Sequence, residues 1–129
     1  MASVTLPTLV AISIGAIVGA NARFLVGGWL AERLASGFPW PTIAINLAGS
    51  FLLGFVLVLS AERGLGPWWV RPAIAVGFLG SFTTFPAFSV ETVSLIERGD
   101  LAGALGNAAG SVLVCVAGAW LGTLLARAL

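Results

Sequence analysis

Four apolar stretches, each long enough to cross a bilayer, fill nearly the whole of this 129-residue chain. A helix needs about 20 consecutive apolar residues to span the hydrocarbon core. The stretches run over roughly 6–30, 41–60, 68–96 and 101–126. With 59% hydrophobic and only 9% charged residues, the chain lies outside the range of soluble globular domains. The fold expected is an all-α integral membrane protein, a single domain of four transmembrane helices over 1–129. The polar joints lie around Glu32 and Arg33, around Glu62, Arg63 and Arg71, and from Glu97 to Asp100. Connections this short make neighbouring helices antiparallel. Trp40, Trp68, Trp69 and Trp120 fall near span ends, where an interfacial belt would place them. The run "GANA" at 19–22 superficially resembles a signal-peptide cleavage site. No basic segment precedes that first stretch and its apolar pattern continues beyond, so a retained helix is expected.

Charge narrows the function classes. The six basic residues are all arginines against five acidic residues, a net charge of +1, which points to neither nucleic-acid binding nor an acidic tail. There is no histidine, and Cys115 is the single cysteine, so no disulfide framework or zinc spacing exists. With no metal cluster and no nucleophile beside a base, an enzyme is not expected. Counting loops puts both termini and the second joint on one side with Arg63, Arg71 and Arg127, and Arg33 and Arg98 on the other, with Arg23 nearer the latter. The bias of basic residues that normally sets orientation is almost absent. Dual topology is therefore expected, and with it an antiparallel homodimer.

Small residues recur four apart at Gly15 and Gly19, Ser50 and Gly54, Gly106 and Gly110, and Gly118 and Gly122. Such pairs let helices approach closely in lipid. They indicate crowded helices and nothing more. The polar residues at membrane depth say more: Asn46 in the second span, Thr83, Thr84 and Ser89 in the third, Asn107 and Ser111 in the fourth. Taken singly, each is explained by an interhelical hydrogen bond of about 1 kcal/mol. Taken together, they place donors in three spans while carboxylates are nearly absent from span interiors. An unpaired ion in a dry interior costs on the order of tens of kcal/mol. Amide and hydroxyl donors can replace part of a small anion's water without the trap of a full positive charge.

The segment "GSFTTFPAFSVET", Gly80 to Thr92, interrupts the third span. Broken helices are tolerated in a membrane only where the freed backbone is buried in protein or lines a cavity. An interruption from Gly80 onward is expected, with Thr83 or Thr84 capping a restarting helix and Pro86 in its first turn, where a missing N–H costs least. Carbonyls released near Gly80 could coordinate a cation. Phe85 and Phe88, three apart, share a face of the restarted helix. The edge of an aromatic ring is positive, so rings turned edge-on to a pore favour a small anion, although phenylalanines at this spacing are more often packing residues.

The combination "GAIVGANARF" (Gly15 to Phe24), "TIAINLAGSFLLG" (Thr42 to Gly54) and "GFLGSFTTFPAFSVET" (Gly77 to Thr92) resembles the Fluc (CrcB) family of fluoride channels over essentially the entire chain. The resemblance implies a dual-topology antiparallel homodimer with two narrow pores in the inner (plasma) membrane of a prokaryote, exporting fluoride passively against its toxicity. It implies pore roles for Asn46, Phe85 and Phe88, with Thr84 beside them and Asn107 and Ser111 on a polar track of the last helix. Gly80 and Thr83 match positions whose carbonyls, from both subunits, hold a structural sodium ion. Arg23 matches a vestibule arginine and Glu91 an acidic vestibule position. The chain departs from the family pattern at Ser81, Pro86 and Ala87, the last two replacing hydroxyl residues.

Two other classes of protein share part of this pattern. A small multidrug-resistance exporter shares the size and the dual topology but needs a carboxylate in its first helix, and this chain has none before Glu32. A non-transporting assembly subunit accounts for the glycine spacing but not for Asn46, the threonine pair and the phenylalanine pair together.

Overall fold

The computed structural model describes residues 4–129, and all regular structure among them is helical. The elements are α1 (Leu6–Arg33), α2 (Trp40–Leu57, continued by a π-helical turn Val58–Glu62), α3 (π-helical Arg71–Leu79 and then Gly80–Phe82), α4 (Phe85–Glu97) and α5 (Leu101–Ala128). They make four helical spans long and apolar enough to cross a membrane, α3 and α4 together forming the third. The first span extends three residues past its expected end at 30, and the third starts at Arg71, three residues after 68. Before Arg71, Gly64 and Gly66 take positive φ and Pro67 offers its carbonyl to Val70, which holds 63–70 as a joint.

Local chemistry sets the ends. Pro7, Pro41 and Pro72 stand in the first turns of α1, α2 and α3, where an N–H has no intrahelical partner to lose. The turn into α5 is only three residues long. Gly99 at φ 79° lets its own N–H reach Ile96 O while Asp100 N–H reaches Leu95 O, satisfying carbonyls at the end of α4. Asp100 then caps α5 by accepting from Gly103 N–H at 2.8 Å.

α1 packs on α3, and α2 on α5, each pair running parallel. The first contact is backbone against backbone: a Cβ on Gly15 would strike the Ala73 carbonyl, and one on Gly77 the Ile12 carbonyl. Gly122 meets the Phe51 carbonyl in the same manner and Gly118 faces the Leu47 side chain, whereas Gly106 and Gly110 have nothing near them among the described residues. At one end the Arg127 guanidinium binds both oxygens of Glu62 at 2.6 and 2.9 Å, and Arg63 donates to Ala126 O, pinning α2 to the end of α5. Few large side chains are enclosed. Leu79, Leu95 and Asn107 are the most completely buried, while leucine, valine and isoleucine side chains cover the outside of every span. Such a surface is stable against lipid, which demands internally bonded backbone and not a thick core.

Candidate functional site

The third span is helical through Phe82, extended at Thr83 (φ −82°, ψ 158°) and Thr84 (φ −150°, ψ 114°), and helical again from Phe85. Gly80 is itself helical at φ −63°, ψ −33°, so the interruption lies three residues beyond the position read from the glycine. Asn46 on α2 holds it open. Its Oδ1 accepts from Thr84 N–H at 2.7 Å, and its Nδ2 donates to Thr84 O at 3.0 Å. A carboxamide carries a donor and an acceptor side by side, so it pairs with an extended peptide as a neighbouring strand would. With Thr84 N–H so engaged, Gly80 O loses the donor a continuous helix would bring to it.

Two further carbonyls are released by the residues that restart the helix. Pro86 has no N–H for Phe82 O, and Ala87 N–H goes to Thr84 Oγ1 at 3.3 Å, the cap of α4, instead of Thr83 O. Thr83 Oγ1 turns back to Leu79 O at 3.0 Å. Gly49 makes the crossing possible, because a Cβ there would strike the Thr83 methyl group. The freed carbonyls of Gly80 and Thr83 are hard oxygen donors, and they fit a monovalent cation such as sodium. No cluster of histidine, cysteine or carboxylate suited to a transition metal occurs among the described residues.

Beside the break lies a cavity of about 250 Å³, open to the outside of the protomer. Asn46, Thr83, Thr84, Phe85, Phe88 and Ser111 all line it, so six site residues singled out in the sequence converge on one space. Phe85 and Phe88 have ring centroids 5.3 Å apart with planes tilted by 43°. Phe85 stands clear of its own protomer at 72% exposure. No charged side chain lines this cavity among the described residues; its polar groups are amide, hydroxyl and the Cys115 thiol. Dipoles of this kind can solvate an anion without holding it as a cation would.

Asn107 is placed differently. It is 1% exposed and sits behind the wall, donating to Thr92 Oγ1 at 2.9 Å and accepting from Ser111 Oγ at 3.1 Å. Thr92 in turn donates to Phe88 O, so Asn107 ties the α4 segment carrying Phe88 to α5. Arg23 is half-buried on α1 and lines neither this cavity nor the second one.

Glu91 lies toward the end of α4, lining a separate cavity of about 400 Å³ with Phe38, Ser94 and Arg98. Thr42 donates to its Oε1 at 2.6 Å, while Oε2 is buried with no partner among the described residues. Two residues take places that sequence reasoning did not anticipate, Ser50 having been marked only as a small packing residue with Gly54. Ser50, one turn after Asn46, lines the first cavity, and Gly49 makes room for Thr83. The four-residue spacing from Asn46 to Ser50 was the available signal for the first.

These features define a class: a multi-pass helical membrane protein with an uncharged, donor-lined cavity at a break in one span. Residues 10–123 match the family described as CrcB-like protein, Camphor Resistance (CrcB). The chain belongs to the CrcB family. It is 42% identical over 120 residues to a protein of Geobacter metallireducens named fluoride-specific ion channel FluC, covering 93% of this chain and 97% of that one. It is 46% identical over 119 residues to a Bordetella petrii protein of the same name, covering 92% and 91% of the two chains. A third relative so named, from Magnetococcus marinus, is 40% identical over 116 residues, 90% of this chain and 94% of its own.

Proposed function

We propose that this protein is a fluoride-selective ion channel. It works as an antiparallel homodimer of dual topology in the inner (plasma) membrane of a prokaryote and releases fluoride passively from the cytoplasm, limiting its toxicity. The observation that carries the reading is the Asn46–Thr84 pairing, which holds the third span open where Phe85 and Phe88 face a cavity free of charged side chains. Relatives across most of the chain's length are named for fluoride conduction, which supports the choice of ion.

Fluoride is small and strongly hydrated, so its partners must stand in for water at close range. One Nδ2 hydrogen of Asn46 is engaged by Thr84 O; the other is free for the ion. The positive ring edges of Phe85 and Phe88 supply weak, unsaturable donors that let it move on. Asn107 keeps Ser111 and Phe88 in register from behind. Arg23 and Glu91 belong to the approaches, Glu91 beside Arg98 at the second cavity. The carbonyls of Gly80 and Thr83, met by those of a second copy, would hold a structural sodium ion whose charge stabilises the joined breaks.

Fluoride release from liposomes containing the purified protein, followed with a fluoride electrode under a potassium and ionophore clamp, tests the reading. Rapid release with chloride retained and no proton gradient is expected. No release from a folded dimer would overturn it.

A further inference from the structure

The wall of the first cavity carries hydroxyls at Ser50, Thr83, Thr84 and Ser111. A hydroxyl has one hydrogen to give. Once that hydrogen is engaged elsewhere, the group turns lone pairs toward an approaching anion and repels it. Thr83 donates to Leu79 O and Ser111 to Asn107 Oδ1, so both are already committed. Thr84 accepts the Ala87 N–H at the helix cap.

On this wall Ser50 stands apart. Five hydroxyls inside these spans bond back to the carbonyl four residues earlier: Ser60, Thr83, Ser89, Thr92 and Thr123. Ser50 does not, and among the described residues it makes no hydrogen bond in either direction. Its oxygen is not among the side-chain atoms sealed from solvent, and the residue is half-buried at the cavity wall. It follows Asn46 by four residues and so shares that face of α2. Its hydroxyl therefore lies one turn along from the free Nδ2 hydrogen of Asn46, and the Cys115 thiol on the same wall is a weaker donor.

We propose that Ser50 is a fluoride-binding residue, its hydroxyl donating to the dehydrated ion in the cavity next to the Asn46 amide. The assignment rests on the fluoride-channel reading above. It replaces a purely packing role for Ser50 in the small-residue pair with Gly54. Packing depends on size, which alanine preserves; binding depends on the hydrogen.

The test is fluoride efflux from liposomes by wild type, S50A and S50T over a series of fluoride concentrations, with size-exclusion profiles of each. Inactive wild type would overturn the channel reading itself. With wild type active, S50A is expected to be slower by about tenfold or more, the scale for losing a hydrogen bond to a charged group, with half-saturation moved to higher fluoride. S50T keeps the hydroxyl and is expected within about threefold of wild type. S50A matching wild type in rate and half-saturation overturns the assignment. So does S50T as slow as S50A while eluting at the wild-type position.

Discussion

Asn46 grips Thr84 by both of its backbone polar groups, at 2.7 and 3.0 Å, across thirty-eight residues of chain. Asn46→Ala strands the Thr84 N–H, at about 1–3 kcal/mol when buried without a partner, and takes from Thr84 O one of its two donors, the other being the first turn of α4. A lower thermal midpoint and fluoride efflux reduced by more than about tenfold are expected. Asn46→Asp keeps the acceptor but sets a negative charge beside the path, and it should stop efflux even where stability is retained. Wild-type efflux in either variant would refute the role given to the pair.

The phenylalanines separate conduction from folding. Phe85 buries little within its protomer, so Phe85→Ile removes a ring edge while leaving the fold of each copy intact. Fluoride flux is expected to be abolished by Phe85→Ile or Phe88→Ile with the assembled form unchanged on size exclusion. Unchanged flux in both would remove the aromatic-edge mechanism.

Glycine contacts differ sharply in consequence. Gly15→Ala drives a methyl group into the backbone of α3, and overpacking of this kind costs about 1–3 kcal/mol. Gly28 has nothing near it among the described residues, and Gly28→Ala should be neutral or stabilising by up to about 1 kcal/mol, as alanine favours helix. Thermal unfolding in detergent reads both, and equal midpoints would contradict the close approach of α1 and α3.

Glu91 presents an oxygen that nothing among the described residues satisfies. Glu91→Gln removes the charge and keeps an acceptor for Thr42, so its thermal midpoint should equal or exceed that of wild type. Glu91→Ala leaves the Thr42 hydroxyl without its acceptor and should fall below both. A glutamine variant several degrees less stable than wild type would show that the carboxylate is needed as a charge.

Orientation is read directly by labelling. Leu129→Cys in a Cys115→Ala background, treated with a membrane-impermeant thiol reagent from one face, should label about half of the copies, given the near absence of charge bias. Labelling of every copy or of none would exclude dual topology.

Hydropathy alone located the four spans, because lipid imposes one simple demand on every exposed side chain. The place of the break was less legible. Gly80 looks like the weak point, but glycine can remain helical, and the winding stops where Asn46 claims the Thr84 N–H. That contact comes from another span and leaves no local trace. The amides drew attention because a buried amide is costly, yet nothing in their type told the cavity-facing Asn46 from the enclosed Asn107. Helix rotation decides that, and it also brings Ser50, read from the sequence only as a small packing residue, to the wall. The π-helical winding of 71–79 carried no periodic signal in so short a run.

That wide winding gives the stretch before the break some slack. A π-helix holds an extra residue relative to α-helical bonding. Deleting one residue between 71 and 79 would let the segment tighten to α-helical bonding, with Thr83 and Thr84 still turned toward Asn46. The same deletion within 80–82, already α-helical, has no such reserve and would rotate the threonines away by about a quarter turn even though no wall residue had changed. Length variation along this chain should therefore be absorbed in the joints and in the wide winding, and the short stretch from Gly80 to the threonines should behave as a ruler.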